Sequence, residues 1–226
     1  MLLEHLTLPR LVTMPNGVPL YKLDGADKGV VRFDILFKGG YAVQDKPLQA
    51  MFTNRMLREG AGSLTAAEIS QKLDYYGAWI DMYSSQNCNH ITLYTMSKHF
   101  VPLLQVLEEM IKYPLFPQEN LDTVRRNNKS HFSINSQKVD IVSQRYFENS
   151  LWGSEHPLGH IVEASDYDAI TRDDVLAYYN SYYGSRNCTM FVSGTFDDAM
   201  LAALTASFGN SVWGCEKEVA PANVAK

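Results

Sequence analysis

Residues 48–84 read LQAMFTNRMLREGAGSLTAAEISQKLDYYGAWIDMYS, and this stretch decides the class of fold. Apolar residues recur at three- to five-residue spacing over 48–59, which predicts a first helix. Thr65 and Glu68 have the spacing of a capping box and open a second helix, which Gly77 ends. The last seven residues alternate as a strand, so the chain passes from two helices directly into a sheet.

The strands outside the helices carry signals of their own. Asn16-Gly17 between apolar residues predicts a hairpin, because both residue types tolerate a positive φ. A run of β-forming residues predicts a strand at 30–37 that a glycine pair ends. Two more strands are predicted at 78–84 and 90–96, and in the first of them we expect Trp79 and the neighbouring odd positions to face the core.

The remaining segments complete the pattern of an α+β protein. Val101 opens the buried stripe of the next helix, and Ile141, Tyr146 and Leu151 form the stripe of a later one. Strands grouped with helices, rather than in strict alternation, indicate a largely antiparallel sheet with helices packed on one face. The predicted segments are helices at 101–113, 118–137, 139–152, 171–183 and 197–208, a strand at 188–192 and a loop at 153–168.

No linker divides the chain. We therefore expect a single domain over 1–215, followed by a loose tail at 216–226 that is rich in Ala, Val and Pro.

The composition excludes some classes of function. Of the 226 residues, 46% are hydrophobic and 20% are charged, with a formal net charge of -5. Arg125-Arg126 is the only adjacent basic pair, which argues against nucleic acid as a partner. No stretch approaches the ~20 apolar residues of a membrane span. The first ten residues lack the apolar core of a signal peptide, and the compartment stays open between cytoplasm and periplasm.

The three cysteines have no metal-binding spacing. Cys88, Cys188 and Cys215 are an odd number without a CxxC pair, which argues against a disulfide framework or a zinc knuckle. Buried free thiols are the favoured interpretation, and one disulfide with a spare thiol is the alternative.

A series of short motifs runs along nearly the whole chain. They are Pro15-Asn16-Gly17-Val18, Phe37-Lys38-Gly39-Gly40, Met56-Leu57-Arg58-Glu59-Gly60, Leu64-Thr65-Ala66-Ala67-Glu68-Ile69, Pro114-Leu115-Phe116-Pro117, His156-Pro157-Leu158-Gly159, Ile170-Thr171-Arg172-Asp173-Asp174-Val175, Tyr182-Tyr183, Asn187 and Val192-Ser193-Gly194. In this order they resemble the N-terminal-type half domain of the pitrilysin (M16) peptidase family. Each motif is short, and their common order makes the resemblance specific.

The family's chemistry resides in an inverted zinc motif, His-x-x-Glu-His, on the first helix. Histidines four apart share one helix face and one metal, while the glutamate activates water. Aligned on Met56-Leu57, this chain has Met51, Asn54 and Arg55 in place of the first histidine, the base and the second histidine. A thioether suits a zinc–water site poorly, an amide cannot accept a proton, and a guanidinium repels a cation. We therefore expect no zinc, no other cofactor and no catalysis by the chain alone.

The family's third zinc ligand is a distant glutamate, and it is also missing. It should fall near Ser130 or His131, but no glutamate occurs between 122 and 148. His131 with His90 or His99 is an alternative metal set, and a histidine facing solvent or a neighbour is the favoured interpretation.

Other catalytic arrangements have little support in the sequence. His156 and His160 are four apart, but Pro157 and Gly159 between them argue against a helix. No G-x-S-x-G elbow is present. The tyrosines at 178–183 have helical spacing and are interpreted as a half-buried helix face rather than a stacking platform.

The strand Ile80-Asp81-Met82-Tyr83-Ser84 is the candidate peptide-binding element. In catalytic members of the family the matching strand is an open sheet edge that the substrate extends. Main-chain hydrogen bonding tolerates many side chains, so such binding can outlast the loss of zinc. A plain sheet strand is the alternative.

Arg55 also has two interpretations, either neutral drift together with Asn54 or contact with a carboxylate of a substrate or partner.

The resemblance implies a non-catalytic subunit that pairs with a zinc-bearing homologue, or with its own second half domain, and helps bind a peptide substrate. A full subunit would then be about twice as long as this chain. Two alternatives remain open: a structural module with no peptide role, and a metallopeptidase with an unrecognised metal site. We expect an oligomer, because a half-subunit leaves a large apolar face that needs a mate.

Overall fold

A six-stranded sheet organises the chain. The computed structural model describes residues 8–25 and 28–215, so the predicted tail lies outside the described residues. The described strands are β1 (Arg10–Thr13), β2 (Pro19–Asp24), β3 (Val30–Lys38), β4 (Gly60–Ala61), β5 (Leu64–Thr65), β6 (Trp79–Ser84), β7 (Cys88–Met96) and β8 (Cys188–Gly194).

The strand order of the large sheet is β1-β2-β8-β3-β7-β6, and β4 and β5 form a separate pair. Every neighbouring pair in the large sheet is antiparallel except β2 and β8, which run parallel. The predicted largely antiparallel sheet is therefore confirmed, and β6 forms one of its two ends.

Helices cover one face of this sheet. The residues of β3 alternate, with Phe33 and Phe37 fully buried and Val30 and Arg32 exposed. Such alternation is expected of an antiparallel sheet with one packed face and one open face, and it confirms the α+β class. The described helices are α1 (Gln49–Met56), α2 (Ala66–Tyr76), α3 (Phe100–Lys112), α4 (Gln118–Asn135), α5 (Val139–Trp152), α6 (Ala164–Ala169), α7 (Arg172–Tyr182) and α8 (Asp198–Leu204).

In β6 the face that packs on the core is the opposite of the predicted one. Trp79 is 67% exposed, whereas Ile80 is 8% exposed. The register explains the error, because Ile80 pairs with Leu93 and Met82 pairs with Ile91. These two β7 residues face the core, so the even positions of β6 face it too, and the odd positions lie on the open face.

The predicted stripe of α5 is also wrong, and that of α3 is wrong at its first residue. Val101 is 40% exposed, and the buried face of α3 begins at Phe100 instead. α5 has the predicted bounds, yet Ile141 is only half-buried and Tyr146 and Leu151 are exposed. The reason is that no described element packs closely along α5.

No described helix combines the length and the apolar composition that crossing a membrane requires.

The predicted loop at 153–168 contains a helix, α6. Glu163 and Asp166 form a reciprocal capping box at its start, with the Glu163 N–H donating to an Asp166 carboxylate oxygen at 2.8 Å. Sequence reasoning missed this helix because its cap is a glutamate rather than Ser, Thr, Asp or Asn.

The predicted hairpin forms between β1 and β2. Gly17 has a φ of 89°, while Asn16 does not adopt a positive φ. The Asn16 side chain instead donates to the carbonyl oxygens of Phe208 and Ser211, both at 2.8 Å. The hairpin is thereby tied to the segment that follows α8.

We expect Thr171→Val to lower the free energy of unfolding by about 1 kcal/mol, because it removes the side-chain cap of α7. In the structure the Asp174 N–H donates to the Thr171 hydroxyl at 3.2 Å. Urea denaturation measures the change, and Thr123→Val within α4 is the matched control. Equal effects of the two substitutions would contradict the capping role.

Candidate functional site

Among residues 8–25 and 28–215, no strand pairs with the outer edge of β6, because β6 lies at the end of the sheet. In an antiparallel pair, hydrogen-bonded and non-bonded residue pairs alternate. The Ser85 N–H donates to the Cys88 carbonyl at 2.8 Å, so Tyr83 and Asp81 belong to the bonded pairs of this ladder. The N–H and C=O groups of Ile80 and Met82 therefore point away from β7, toward the helices.

A cleft of about 560 Å³ lies along this edge. It is bounded by α1 and the loop after it, by the start of α2, and by one residue of α4. Its lining residues are Arg55, Arg58, Glu59, Ala66, Ala67, Ser70, Trp79, Ile80, Asp81, Met82 and Val124. Four of the five residues at 79–83 thus contribute to the wall, so backbone groups and charged side chains share one concave surface.

The open edge ends abruptly at the C-terminal end of β6. A short 3-10 turn, Gly40–Val43, closes it. The Tyr41 N–H donates to the Ser85 carbonyl at 2.9 Å, and the Ala42 N–H donates to the Gln86 carbonyl at 2.8 Å. A chain that extends β6 must therefore stop or turn away near Ser84.

Asn54 is fully buried and bridges α1 to the sheet. Its side-chain amide donates to the carbonyl oxygens of Tyr83 at 2.9 Å and His90 at 3.1 Å. Its side-chain oxygen accepts from the Tyr183 hydroxyl at 3.1 Å. The position predicted from the sequence to match the family's general base is thus part of the structural core here.

The other two positions of the degenerate motif differ from each other. Met51 is half-buried and packs against the core, whereas Arg55 is exposed and lines the cleft. A packed thioether, an amide bonded to backbone and a cation do not form a donor set for Zn²⁺. The residues present therefore do not fit the metal that the family resemblance implies.

The candidate third-ligand residues lie outside the cleft lining. Ser130 and His131 are exposed on α4, and the Ser130 hydroxyl donates to a backbone carbonyl of its own helix. His90, His99 and His131 belong to no group of metal-binding side chains among the described residues, and the rings of His90 and His99 each pack against a tyrosine ring. Burial lowers the pKa of His90, and the nearby Asp34 carboxylate opposes this shift.

His156 and His160 make separate hydrogen bonds rather than pointing at a common ligand. The ring Nδ1 of His156 accepts from the Leu158 N–H at 3.1 Å, and His160 pairs with Asp166 at 2.8 Å. Within residues 8–25 and 28–215, no group of three or more His, Cys, Asp or Glu side chains is arranged to hold a metal ion. Cys88, Cys188 and Cys215 form no disulfide with one another, and the last two are buried.

A second cavity, of about 470 Å³, adjoins the closed end of β6. Two tyrosines line it: Tyr41 from the 3-10 turn and Tyr167 from α6. Burial raises the pKa of both hydroxyls, and the Arg55 guanidinium opposes this shift at both. Arg55 therefore lies within electrostatic range of both cavities. This second cavity is not apparent in the sequence, because its walls come from segments more than 100 residues apart.

The tyrosines at 178–183 form a buried hydrogen-bonded wall next to Asn54. The Tyr178 hydroxyl donates to the Gly40 carbonyl at 3.0 Å and accepts from the Asn89 amide at 3.0 Å. Tyr178 and Tyr183 are each 1% exposed, and burial raises the pKa of both. The interpretation as a helix face is supported, and these hydroxyls fix α7 to the sheet.

This combination of a mostly antiparallel sheet, one helical layer and an edge strand beside the first helix is the fold of an M16 peptidase half domain. The chain is similar to the structure of a peptidase M16 inactive domain from Pseudomonas fluorescens, with a TM-score of 0.80 and 19% identity, over 94% of this chain and 53% of that one. It is also similar to a protease from Helicobacter pylori, with a TM-score of 0.81 and 18% identity, over 96% and 53%. The periplasmic protease PqqL from Escherichia coli matches with a TM-score of 0.78 and 15% identity, over 94% and 25%.

The chain thus spans about half the length of the first two of these structures. No protein-family model and no curated protein sequence matches it. At these identities the likeness establishes the fold, which confirms the structural part of the resemblance seen in the sequence.

We expect Asn54→Asp to lower the free energy of unfolding by about 3 kcal/mol at pH 7, because a carboxylate would face two carbonyl oxygens. Its pKa in the folded state would be raised above the unfolded value of about 3.9. The destabilisation should therefore grow as the pH rises through that folded-state pKa and shrink as the pH falls toward 4.

Urea denaturation between pH 4.5 and 8 measures this dependence. Asn54→Leu is the control, because leucine has a similar volume and no titratable group. Its loss of unfolding free energy relative to the native chain should not change with pH. An Asn54→Asp variant as stable as the native chain at pH 7 would show that the amide is not required.

Proposed function

We propose that this chain is a non-catalytic half domain of M16 type that pairs with a second half domain and helps hold a peptide along β6. The observation that carries the proposal is the free outer edge of β6, which faces a cleft whose motif positions lack zinc ligands. The second half domain is either a zinc-bearing homologue or a further part of the same protein.

Peptide capture by β6 would use main-chain groups. The outward N–H and C=O groups of Ile80 and Met82 offer an extended peptide the hydrogen bonds of an additional strand. Such binding depends little on side-chain identity. Specificity would come from the cleft wall, where Arg55, Arg58 and Asp81 present charges of both signs.

Catalysis is assigned to the partner rather than to this chain. At the motif positions Met51, Asn54 and Arg55 no side chain can take a proton from water at neutral pH, since Arg55 stays protonated and the other two are not bases. Asn54 is also committed to the carbonyls of Tyr83 and His90.

Pairing is supported by the length of the chain and by α5. The similar structures from Pseudomonas fluorescens and Helicobacter pylori are about twice as long as the segment they share with this chain. On α5, four apolar residues of one helix face are 60–82% exposed: Val139, Tyr146, Phe147 and Leu151. Several large exposed apolar side chains on one side of a helix are typical of an interface.

We expect Met82→Pro to weaken peptide binding by about tenfold or more, because proline removes the outward N–H while an edge strand tolerates it. Fluorescence anisotropy with labelled unstructured ten-residue peptides measures the affinity. Met82→Ala is the matched control, since it shortens the same side chain and keeps the N–H.

The ligand side offers an independent check. The same peptides, N-methylated at alternate residues, lose the N–H donors that strand addition needs. Their affinity for the native chain should therefore fall to the affinity of the unmethylated peptides for Met82→Pro. Binding that is indifferent to both changes would exclude strand addition at β6. A chain that binds no peptide at all would favour the structural-module alternative.

We expect the double substitution Phe147→Ser and Leu151→Ser to abolish association with a zinc-bearing M16 subunit of the source organism, and to leave the folding of this chain unchanged. Co-purification and analytical ultracentrifugation measure the association. The matched control is Tyr75→Ser with Tyr113→Ser, which removes two exposed aromatic residues elsewhere on the surface.

Metal analysis by mass spectrometry on the same samples shows which subunit binds the zinc. Zinc should accompany the partner, and the separate chain should have much less than one ion per molecule and no peptidase activity. One zinc per separate chain would overturn the proposal in favour of a metallopeptidase with an unrecognised site.

A further inference from the structure

The cavity at the closed end of β6, defined by Tyr41, Ser85, Arg145 and Tyr167 among its lining residues, is placed where a docked peptide must end or turn. β6 ends at Ser84, and the Tyr41 N–H donates to the Ser85 carbonyl at the tip of the hairpin that follows. Anything that leaves the edge at this point enters the space between the 3-10 turn and α6.

Two phenol hydroxyls in this cavity are free to bind a ligand. Neither the Tyr41 nor the Tyr167 hydroxyl has a hydrogen-bond partner among the described residues, although Tyr167 is only 7% exposed. The Tyr167 ring is held in place by Phe52 at 6.1 Å and Phe132 at 5.2 Å between ring centroids. A rigid, partly desolvated donor of this kind favours an acceptor group.

Two guanidinium groups act on the same hydroxyls. Arg55, at the junction with the cleft, lies within electrostatic range of both tyrosines, and Arg145 lies within range of Tyr167. The Arg145 guanidinium stacks over the Phe132 ring at 4.8 Å from its centroid. Neither arginine forms an ion pair with a carboxylate in the part of the chain that the structure describes.

The acidic groups near the cavity are already engaged. The Asp166 carboxylate accepts from His160 and from the Glu163 N–H, both at 2.8 Å. The Glu148 carboxylate, which lines the cavity, accepts from the Gln144 amide at 2.8 Å. Both carboxylates are thus held in place by hydrogen bonds to neighbouring groups.

We infer that this cavity binds a carboxylate of the docked peptide, through the hydroxyls of Tyr41 and Tyr167 and the guanidinium group of Arg145, with the Arg55 guanidinium adding positive charge from the adjoining cleft. The inference rests on the proposed function, since it assumes a peptide along β6. The carboxylate is either the C-terminus of a peptide that runs parallel to β6 or an Asp or Glu side chain. Both present the same planar anion to the same donors.

The test compares three labelled ten-residue peptides of one neutral sequence on the 226-residue chain. One has a free C-terminal carboxylate, one is amidated, and one is amidated with a single glutamate. We expect at least one carboxylate peptide to bind about fivefold or more tightly than the neutral amide, and the arm that does so identifies the source.

The double variant Arg55→Gln with Arg145→Gln should bind all three peptides equally. Arg126→Gln with Arg186→Gln removes the same total charge at exposed positions outside both the cleft and the cavity, and it should retain the preference. Tyr41→Phe with Tyr167→Phe should reduce the preference without a change in charge, and circular dichroism verifies the fold of each variant.

The outcomes separate this inference from the proposed function. Equal binding of the three peptides by the native chain, with binding still lost in Met82→Pro, overturns the carboxylate site and leaves peptide capture standing. A preference that survives in Arg55→Gln with Arg145→Gln also overturns the site. The absence of all peptide binding overturns both.

Discussion

The buried amide of Asn54 is the interaction on which the arrangement of this protein depends. It joins the first helix to the carbonyl oxygens of Tyr83 in β6 and His90 in β7, and to the hydroxyl of Tyr183 after α7. A buried amide with all these partners stabilises only one relative placement of helix and strands. The edge of β6, the cleft beside it and the wall of tyrosines behind it all take their positions from this contact.

That contact also divides the edge strand into two chemical environments. On the side of Trp79 the cleft offers unpaired main-chain groups and charges of both signs, which suits an extended peptide of varied sequence. Beyond Ser84 the turn at Tyr41 closes the edge, and the chemistry changes to hydroxyl and guanidinium donors. Arg55 lies between the two, at a position where zinc-bearing family members have a metal ligand.

Much of the architecture follows from local patterns. Thr65 and Thr171 cap the helices that their capping boxes predict, and the bounds of α5 agree with prediction. These signals involve residues three or four apart, so they are legible without the fold. The buried face of β6 could not be predicted from such local signals. Ile80 and Trp79 are both apolar, and only the pairing of Ile80 with Leu93 decides which of them is buried. The exposed stripe of α5 was mispredicted for a related reason, since an apolar stripe does not reveal whether its partner belongs to the same chain.

Local patterns in the sequence were enough to predict the class of fold, which the structure confirms; the degenerate His-x-x-Glu-His motif at Met51, Asn54 and Arg55 and the role of β6 stay predictions. Tertiary structure alone decided what the three substituted residues do: Met51 packs on the core, Asn54 holds the sheet and Arg55 faces the cleft. It also assembled the second cavity from Tyr41, Arg145 and Tyr167. The physical reason is that identity and spacing along a helix are local properties. Burial, hydrogen-bond partners and electrostatic neighbours exist only once distant segments have been brought together.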